Sequence, residues 1–189
     1  MTGTLAFGPL PKGTAHLCVD MQNVFLEATE WHVPWMKIVL PAVAELAWRR
    51  PRDTAFTRFC SPADPGDMPG AWQRYYERWP QYTVDAARSP LFDLAPPLAA
   101  LCPPARVFDK PVYSAFASAG LRGWLKRRDI ECLVITGVET DVCVLSTILG
   151  AIDRGYRVVV PADGVCSSTD AGHDSLLRQY QRRFSQQLE

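Results

Sequence analysis

Cys132-Leu-Val-Ile-Thr-Gly-Val-Glu-Thr-Asp-Val-Cys-Val-Leu-Ser-Thr-Ile-Leu-Gly-Ala-Ile-Asp-Arg-Gly-Tyr-Arg-Val-Val-Val160 changes hydrophobic period twice. The unbroken apolar run Cys132–Thr136, bounded by Gly137, predicts a strand buried on both faces. From Thr140 to Arg154 the apolar residues Val142, Val144, Leu145, Ile148, Leu149 and Ile152 recur at helical spacing. Gly155 then stands where a helix ends in a left-handed residue, and Tyr156–Val160 predicts the next strand. Strand, helix and strand in that order make a crossover, which is how two parallel strands are joined.

Working outward, Ala15-His-Leu-Cys-Val19, Thr54–Phe59 and Arg106–Phe108 predict further strands. Helices are expected from Pro34 to Arg50, with Pro41 the point of any kink, from Leu121 to Arg128 and from Ala171 to Phe184. This alternation predicts an α/β fold: a doubly wound, mainly parallel sheet with helices on both faces, Rossmann-like, in a single domain. The domain is expected to span residues 1–189, with an aromatic and Pro-rich insertion at about 60–104.

Of the 189 residues, 48% are hydrophobic and 21% charged, a balance that excludes a disordered chain. Twenty basic residues offset twenty acidic ones, so no overall charge draws the chain to nucleic acid or to an anionic membrane. Two basic runs, Arg122 with Lys126–Arg128 and Arg178 with Arg182–Arg183, accompany no recognition motif and read as solvated helix faces. The six cysteines are dispersed without a C-x-x-C pair, which suits reduced thiols in a cytoplasmic protein and argues against a zinc site. No signal-peptide pattern opens the sequence and no apolar stretch is long enough to span a membrane.

In a doubly wound sheet, ligands gather at the carboxyl ends of the strands. Asp20, Arg58, Lys110 and the Gly137–Cys143 turn all fall there. With Thr140 as N-cap, Cys143 is the third residue of a helix, where free N–H groups and the helix dipole favour a thiolate. Each residue has a plainer reading alone: Cys143 as a buried apolar thiol, Asp20 as a turn or cap, Lys110 as a lysine extended along an apolar surface. Together they are a chemical unit, in which a carboxylate takes the thiol proton and later passes it to a leaving amine while an ammonium steadies both anions.

Three segments, Val19-Asp-Met-Gln-Asn-Val-Phe25, Lys110-Pro-Val-Tyr-Ser-Ala-Phe116 and Ile135-Thr-Gly-Val-Glu-Thr-Asp-Val-Cys-Val144, resemble the isochorismatase-like cysteine hydrolases, and Ala151–Ser168 follows the same pattern. The family includes nicotinamidase, N-carbamoylsarcosine amidase and biuret hydrolase. The resemblance implies Asp20, Lys110 and Cys143 as a catalytic triad, a cis peptide between Val138 and Glu139, and the N–H groups of Glu139 and Cys143 as an oxyanion hole. It implies hydrolysis of a small amide, carbamoyl or ureido compound through a thioester, with release of ammonia or an amine. It also implies a homo-oligomer, dimer or tetramer. Isochorismatases proper lack the cysteine and cleave an enol ether, so Cys143 points to C–N bonds. Ether hydrolysis, thiol redox chemistry and a non-catalytic binding paralogue are the rival expectations.

Nicotinamidases carry an Asp-x-His and a further His for a metal near the second strand, where this chain reads Thr57-Arg-Phe-Cys-Ser-Pro62. Its only histidines, His16, His32 and His173, form no ligand cluster in the sequence, so neither metal nor other cofactor is expected. The substrate-binding candidates are Gln22, Phe25, Arg58 and Tyr113. Arg58 is either a clamp for a substrate carboxylate or the partner of Asp53, Asp64 or Asp67. Trp72–Trp79 supplies pocket walls or a packed contact, and packing is the favoured reading; Trp31 is read mainly as core.

Overall fold

Apolar runs that pair on both edges and pack on both faces make the centre of the sheet. Thr14–Val19 (β1) and Cys132–Val138 (β4) are buried along their whole length and lie side by side in parallel register, from Thr14 opposite Cys132 to Val19 opposite Gly137. Thr54–Phe59 (β2) pairs with the other edge of β1, and Arg106–Lys110 (β3) with β2. Arg157–Val159 (β5) and the two-residue Val165–Cys166 (β6) both pair with β4. All of these strand pairings are parallel, and the order β3-β2-β1-β4-β5 reverses direction between β1 and β4. The doubly wound α/β architecture expected from the sequence is the one observed. The computed structural model describes residues 5–83 and 89–189; Met1–Thr4 of the N-terminal stretch and Val84–Arg88 of the Pro-rich stretch lie outside the described residues.

Alternating side chains of β1 divide the core. Cys18 faces a cluster with Phe56, Met36, Tyr76 and Leu98, covered by Asn23–Leu26 (α1), Met36–Arg49 (α2), Ala71–Arg78 (α3) and Pro96–Ala99 (α4). Leu17 and Val19 face Leu133, Ile135, Leu121 and Ile148, covered by Ala119–Arg127 (α5), Leu145–Ile152 (α6) and Asp170–Arg183 (α7). Each fully buried side chain of this kind contributes roughly 1.5–3 kcal/mol, which makes the two layers the principal source of stability. Among the described residues no helix is long and apolar enough to cross a membrane.

The second helix runs through Pro41 as one element and begins at Met36 rather than Pro34. The expected helix over Thr140–Arg154 is in two parts, a π-helical turn at Thr140–Val144 followed by α6. The widening has a local cause, because the N–H groups of Val142 and Val144 both donate to the carbonyl of Glu139. At the start of this turn Gly137 is forced by contact: a Cβ there would lie 2.0 Å from the carbonyl oxygen of Val19, and its φ is +117°. Gly155 takes φ +80° as expected of a helix terminator.

Candidate active site

The chain leaves β1 at Asp20 with φ +55°, its N–H donating to the Thr57 carbonyl at 3.1 Å. That turn aims the carboxylate across the sheet ends. One oxygen accepts from the Thr57 hydroxyl at 2.6 Å, the other from Nζ of Lys110 at 2.6 Å. Lys110, the last residue of β3, also donates to the Val112 carbonyl at 3.0 Å and sits 5.0 Å from the centre of the Phe59 ring. Burial by itself would lower the Lys110 ammonium, but the Asp20 carboxylate and the nearby Cys143 outweigh it and hold its pKa above the ordinary value.

Cys143 is buried in the π-helical turn, beyond the end of β4. Burial pushes its thiol well up from the ordinary range; the Lys110 charge opposes that rise and the Asp20 charge adds to it. The expected N-cap is corrected, since Glu139 and not Thr140 caps the turn, and burial opposes the thiolate that a helix start would favour. Thr140 is instead an anchor, its hydroxyl bonded to Nδ1 of His173 at 2.9 Å and its carbonyl accepting from Tyr180 at 2.9 Å. Asp141 accepts from the Ser167 hydroxyl at 2.6 Å, and Glu139 accepts from the Ser168 N–H at 2.9 Å. The Val138–Glu139 peptide is cis.

Cys143 opens into a cavity of about 130 Å³. Phe25, Trp31, Phe59, Tyr75 and Tyr113 form its aromatic wall, with Val142 beside them, and Glu30, His32, Glu139 and Ser168 supply the polar groups. Trp31 lies 4.3 Å from Tyr82 and Tyr113 lies 4.6 Å from Trp72, ring centre to ring centre, so the wall is backed by a second aromatic layer. A cavity of roughly 150 Å³ accommodates benzene, so this one suits a small planar molecule. A larger groove of about 490 Å³, bordered by Trp35, Ile38 and His173, contains none of Asp20, Lys110 and Cys143.

Of the substrate-binding candidates, Phe25 and Tyr113 line this cavity and Gln22 and Arg58 do not. The Gln22 carboxamide is fully buried, accepting from the Phe59 N–H at 2.6 Å and donating to the carbonyls of Phe92 at 2.8 Å and Phe59 at 3.3 Å. It is a clasp between backbone segments with nothing left for a ligand. Arg58 grips both carboxylate oxygens of Asp109 at 2.7 and 2.9 Å and reaches Asp93 at 3.2 Å. Its partner is the residue opposite it in the β2–β3 register, none of the three aspartates expected. Sequence reasoning passed over Glu30, placed His32 no more closely than a loop near the crevice, and favoured packing for the segment with Tyr75 and core for Trp31. The cluster of aromatics at 72–82 was the available signal for the wall.

The residues at the second strand's end do not fit a metal. Thr57 is committed to Asp20 and Arg58 to two aspartates, while the buried Ser61 hydroxyl has no hydrogen-bond partner. Among the described residues no three His, Cys, Asp or Glu side chains are grouped to hold an ion.

Residues 14–189 match the isochorismatase domain family, and the chain belongs to that family. It is 34% identical over 115 residues to the nicotinamidase of Escherichia coli, covering 54% of this chain and 51% of the relative. It is 40% identical over 72 residues to the ureidoacrylate amidohydrolase RutB of Methylobacterium radiotolerans, covering 38% and 27%. These matches thus span at most about half the length of either relative. A cysteine hydrolase from Pseudomonas syringae pv. phaseolicola superposes with a TM-score of 0.79 at 25% identity, over 97% of this chain and 92% of that one.

Proposed function

We propose that the chain is a cysteine amidohydrolase of a small amide, carbamoyl or ureido compound, with Asp20, Lys110 and Cys143 as its catalytic triad. The observation that carries the reading is the fully buried Asp20–Lys110 pair beside a buried thiol that opens into a small aromatic cavity. The nicotinamidase and amidohydrolase names of the relatives support it.

Asp20 takes the proton of Cys143 as the sulfur attacks the substrate carbonyl carbon. The oxyanion that forms is held by the N–H groups of Glu139 and Cys143, each such donor typically contributing about 3–4 kcal/mol. Asp20 passes its proton to the departing nitrogen, and the C–N bond breaks to leave a thioester and ammonia or an amine. Water then gives a proton to Asp20 and its oxygen to the acyl carbon, and the proton returns to sulfur as the acid leaves. Lys110 keeps the Asp20 carboxylate in place through 2.6 Å contact and offsets negative charge on sulfur.

Ammonia release from a panel of small amides and ureides, with and without a chelator, tests the reading. Release from wild type that ignores the chelator and vanishes in Cys143→Ala is expected. Release that persists in Cys143→Ala overturns it, as does the absence of release from every compound together with an unreactive Cys143. The same reading takes the protein as cytoplasmic, with one domain over 1–189 and no metal or other cofactor. The exposed apolar side chains Trp35, Ile38 and Trp48 support a homo-oligomer, dimer or tetramer, which light scattering measures.

A further inference from the structure

Two acidic residues line the cavity that holds Cys143, Glu30 and Glu139. The Glu30 carboxylate is fixed by the hydroxyl of Tyr82 and by Nε2 of Gln81 at 3.3 Å, and the bond from Tyr82 keeps its pKa below the usual carboxylate range. Among the described residues the Glu139 carboxylate accepts one hydrogen bond, from the Ser168 N–H. Among the described residues neither forms a salt bridge, and no lysine or arginine lines the cavity. Lys110, behind the thiol, is already matched by Asp20. Arg58 is held by Asp109 and Asp93.

A substrate carboxylate entering here meets two like charges, with His32 the one basic side chain among the described lining residues. Unpaired like charge is how a site rejects a ligand without altering its shape. A positively charged substituent meets the opposite: two carboxylates and the faces of Phe25, Trp31 and Tyr75, which attract cations. We propose that this pocket sorts amides by charge, admitting neutral and cationic ones and rejecting anionic ones, with Glu30 as a specificity-determining residue. The inference rests on the amidohydrolase reading for its substrate class. It sets this pocket apart from one built for an amide that carries a carboxylate, such as ureidoacrylate.

The charge filter is testable without turnover. Iodoacetamide and iodoacetate differ in charge and react with the same sulfur, so their relative rates at Cys143, followed by peptide mass spectrometry at pH 8, report the pocket's preference. Referred to a free thiol, Cys143 is expected to disfavour iodoacetate by about tenfold or more, the scale of a 1.4 kcal/mol penalty. Glu30→Gln narrows that ratio by about threefold or more, Glu30→Lys narrows it further, and added salt narrows it in wild type. Turnover of butanamide, 3-aminopropanamide and succinamate should follow the same order, with succinamate the poorest. A Cys143 that treats the two reagents as a free thiol does, or a ratio unmoved by both Glu30 variants, overturns the filter. Amides that all fail while the reagent preference holds count against the hydrolase reading and leave the filter standing.

Discussion

A carboxylate oxygen of Asp20 lies 2.6 Å from Nζ of Lys110, and neither side chain is reached by solvent. Desolvating two charges is costly, and removing one partner leaves the other stranded at a cost of about 3–5 kcal/mol. Lys110→Met should therefore lower the free energy of unfolding by that amount in urea. Asp20→Asn combined with Lys110→Met should recover most of the loss. Equal stability of wild type and Lys110→Met would contradict the pairing.

Asp20 has opposite effects on Cys143 according to its role. As a bare charge it helps hold the thiol pKa up, so its removal would speed alkylation by enlarging the thiolate population. As the base that receives the proton, its removal slows the reaction. Asp20→Asn is expected to alkylate with iodoacetamide at least about tenfold more slowly than wild type near neutral pH. A faster variant would assign Asp20 a purely electrostatic role.

Gly137 lies opposite Val19 in the β1–β4 register. A methyl group there would stand 2.0 Å from the Val19 carbonyl oxygen, on a backbone with φ +117°. Gly137→Ala should cost more than about 3 kcal/mol, enough to remove much of the stability of an ordinary domain. Thermal denaturation of Gly137→Ala beside Gly155→Ala, which has φ +80° but no atom within 4 Å of its added Cβ, separates the clash from the strain.

His16 sets an acid limit on stability. It is buried in β1, with Nε2 bonded to Thr136 at 2.8 Å and Nδ1 without a hydrogen-bond partner, and burial lowers its pKa from 6.5 to about 3. Because the folded pKa lies below the unfolded one, protonation favours the unfolded chain. The stabilisation is complete above pH 6.5 and is lost as pH falls toward 3. His16→Gln, which keeps a donor and an acceptor but does not titrate, should flatten the dependence of unfolding free energy on pH across that interval. An unchanged slope would show that another group carries it.

Strands were legible because a strand covered on both faces must be apolar throughout, and Thr54–Phe59 was recovered to the residue. Val165–Cys166 was not, since two residues carry no period, and α3 was read only as an aromatic segment, its rings being divided between the core, as Tyr76, and the cavity, as Tyr75. Asp20, Lys110 and Cys143 were legible as residues at strand ends, a position fixed by topology. Gln22 and Arg58, also offered as binding candidates, do not line the cavity, and the partners that hold them, the backbone of Phe59 and Phe92 and the side chain of Asp109, are set by three-dimensional contact. The acidic character of the cavity was equally out of reach, as Glu30 and Glu139 lie far apart in the chain and meet only around the folded pocket.

The proposed reacting groups and much of the cavity wall come from different stretches of chain, although Tyr113, Glu139 and Val142 lie close to Lys110 and Cys143 in sequence. Asp20, Lys110 and Cys143 sit just at or past the ends of β1, β3 and β4, whereas Phe25, Glu30, Trp31, His32 and Tyr75 belong to the segments that follow β1 and β2. A transplant of residues 25–32 and 72–82 between two such proteins would carry selectivity with it and leave the reaction behind. Diversification by exchanging the connecting segments is thus open to this scaffold at little risk to its central sheet.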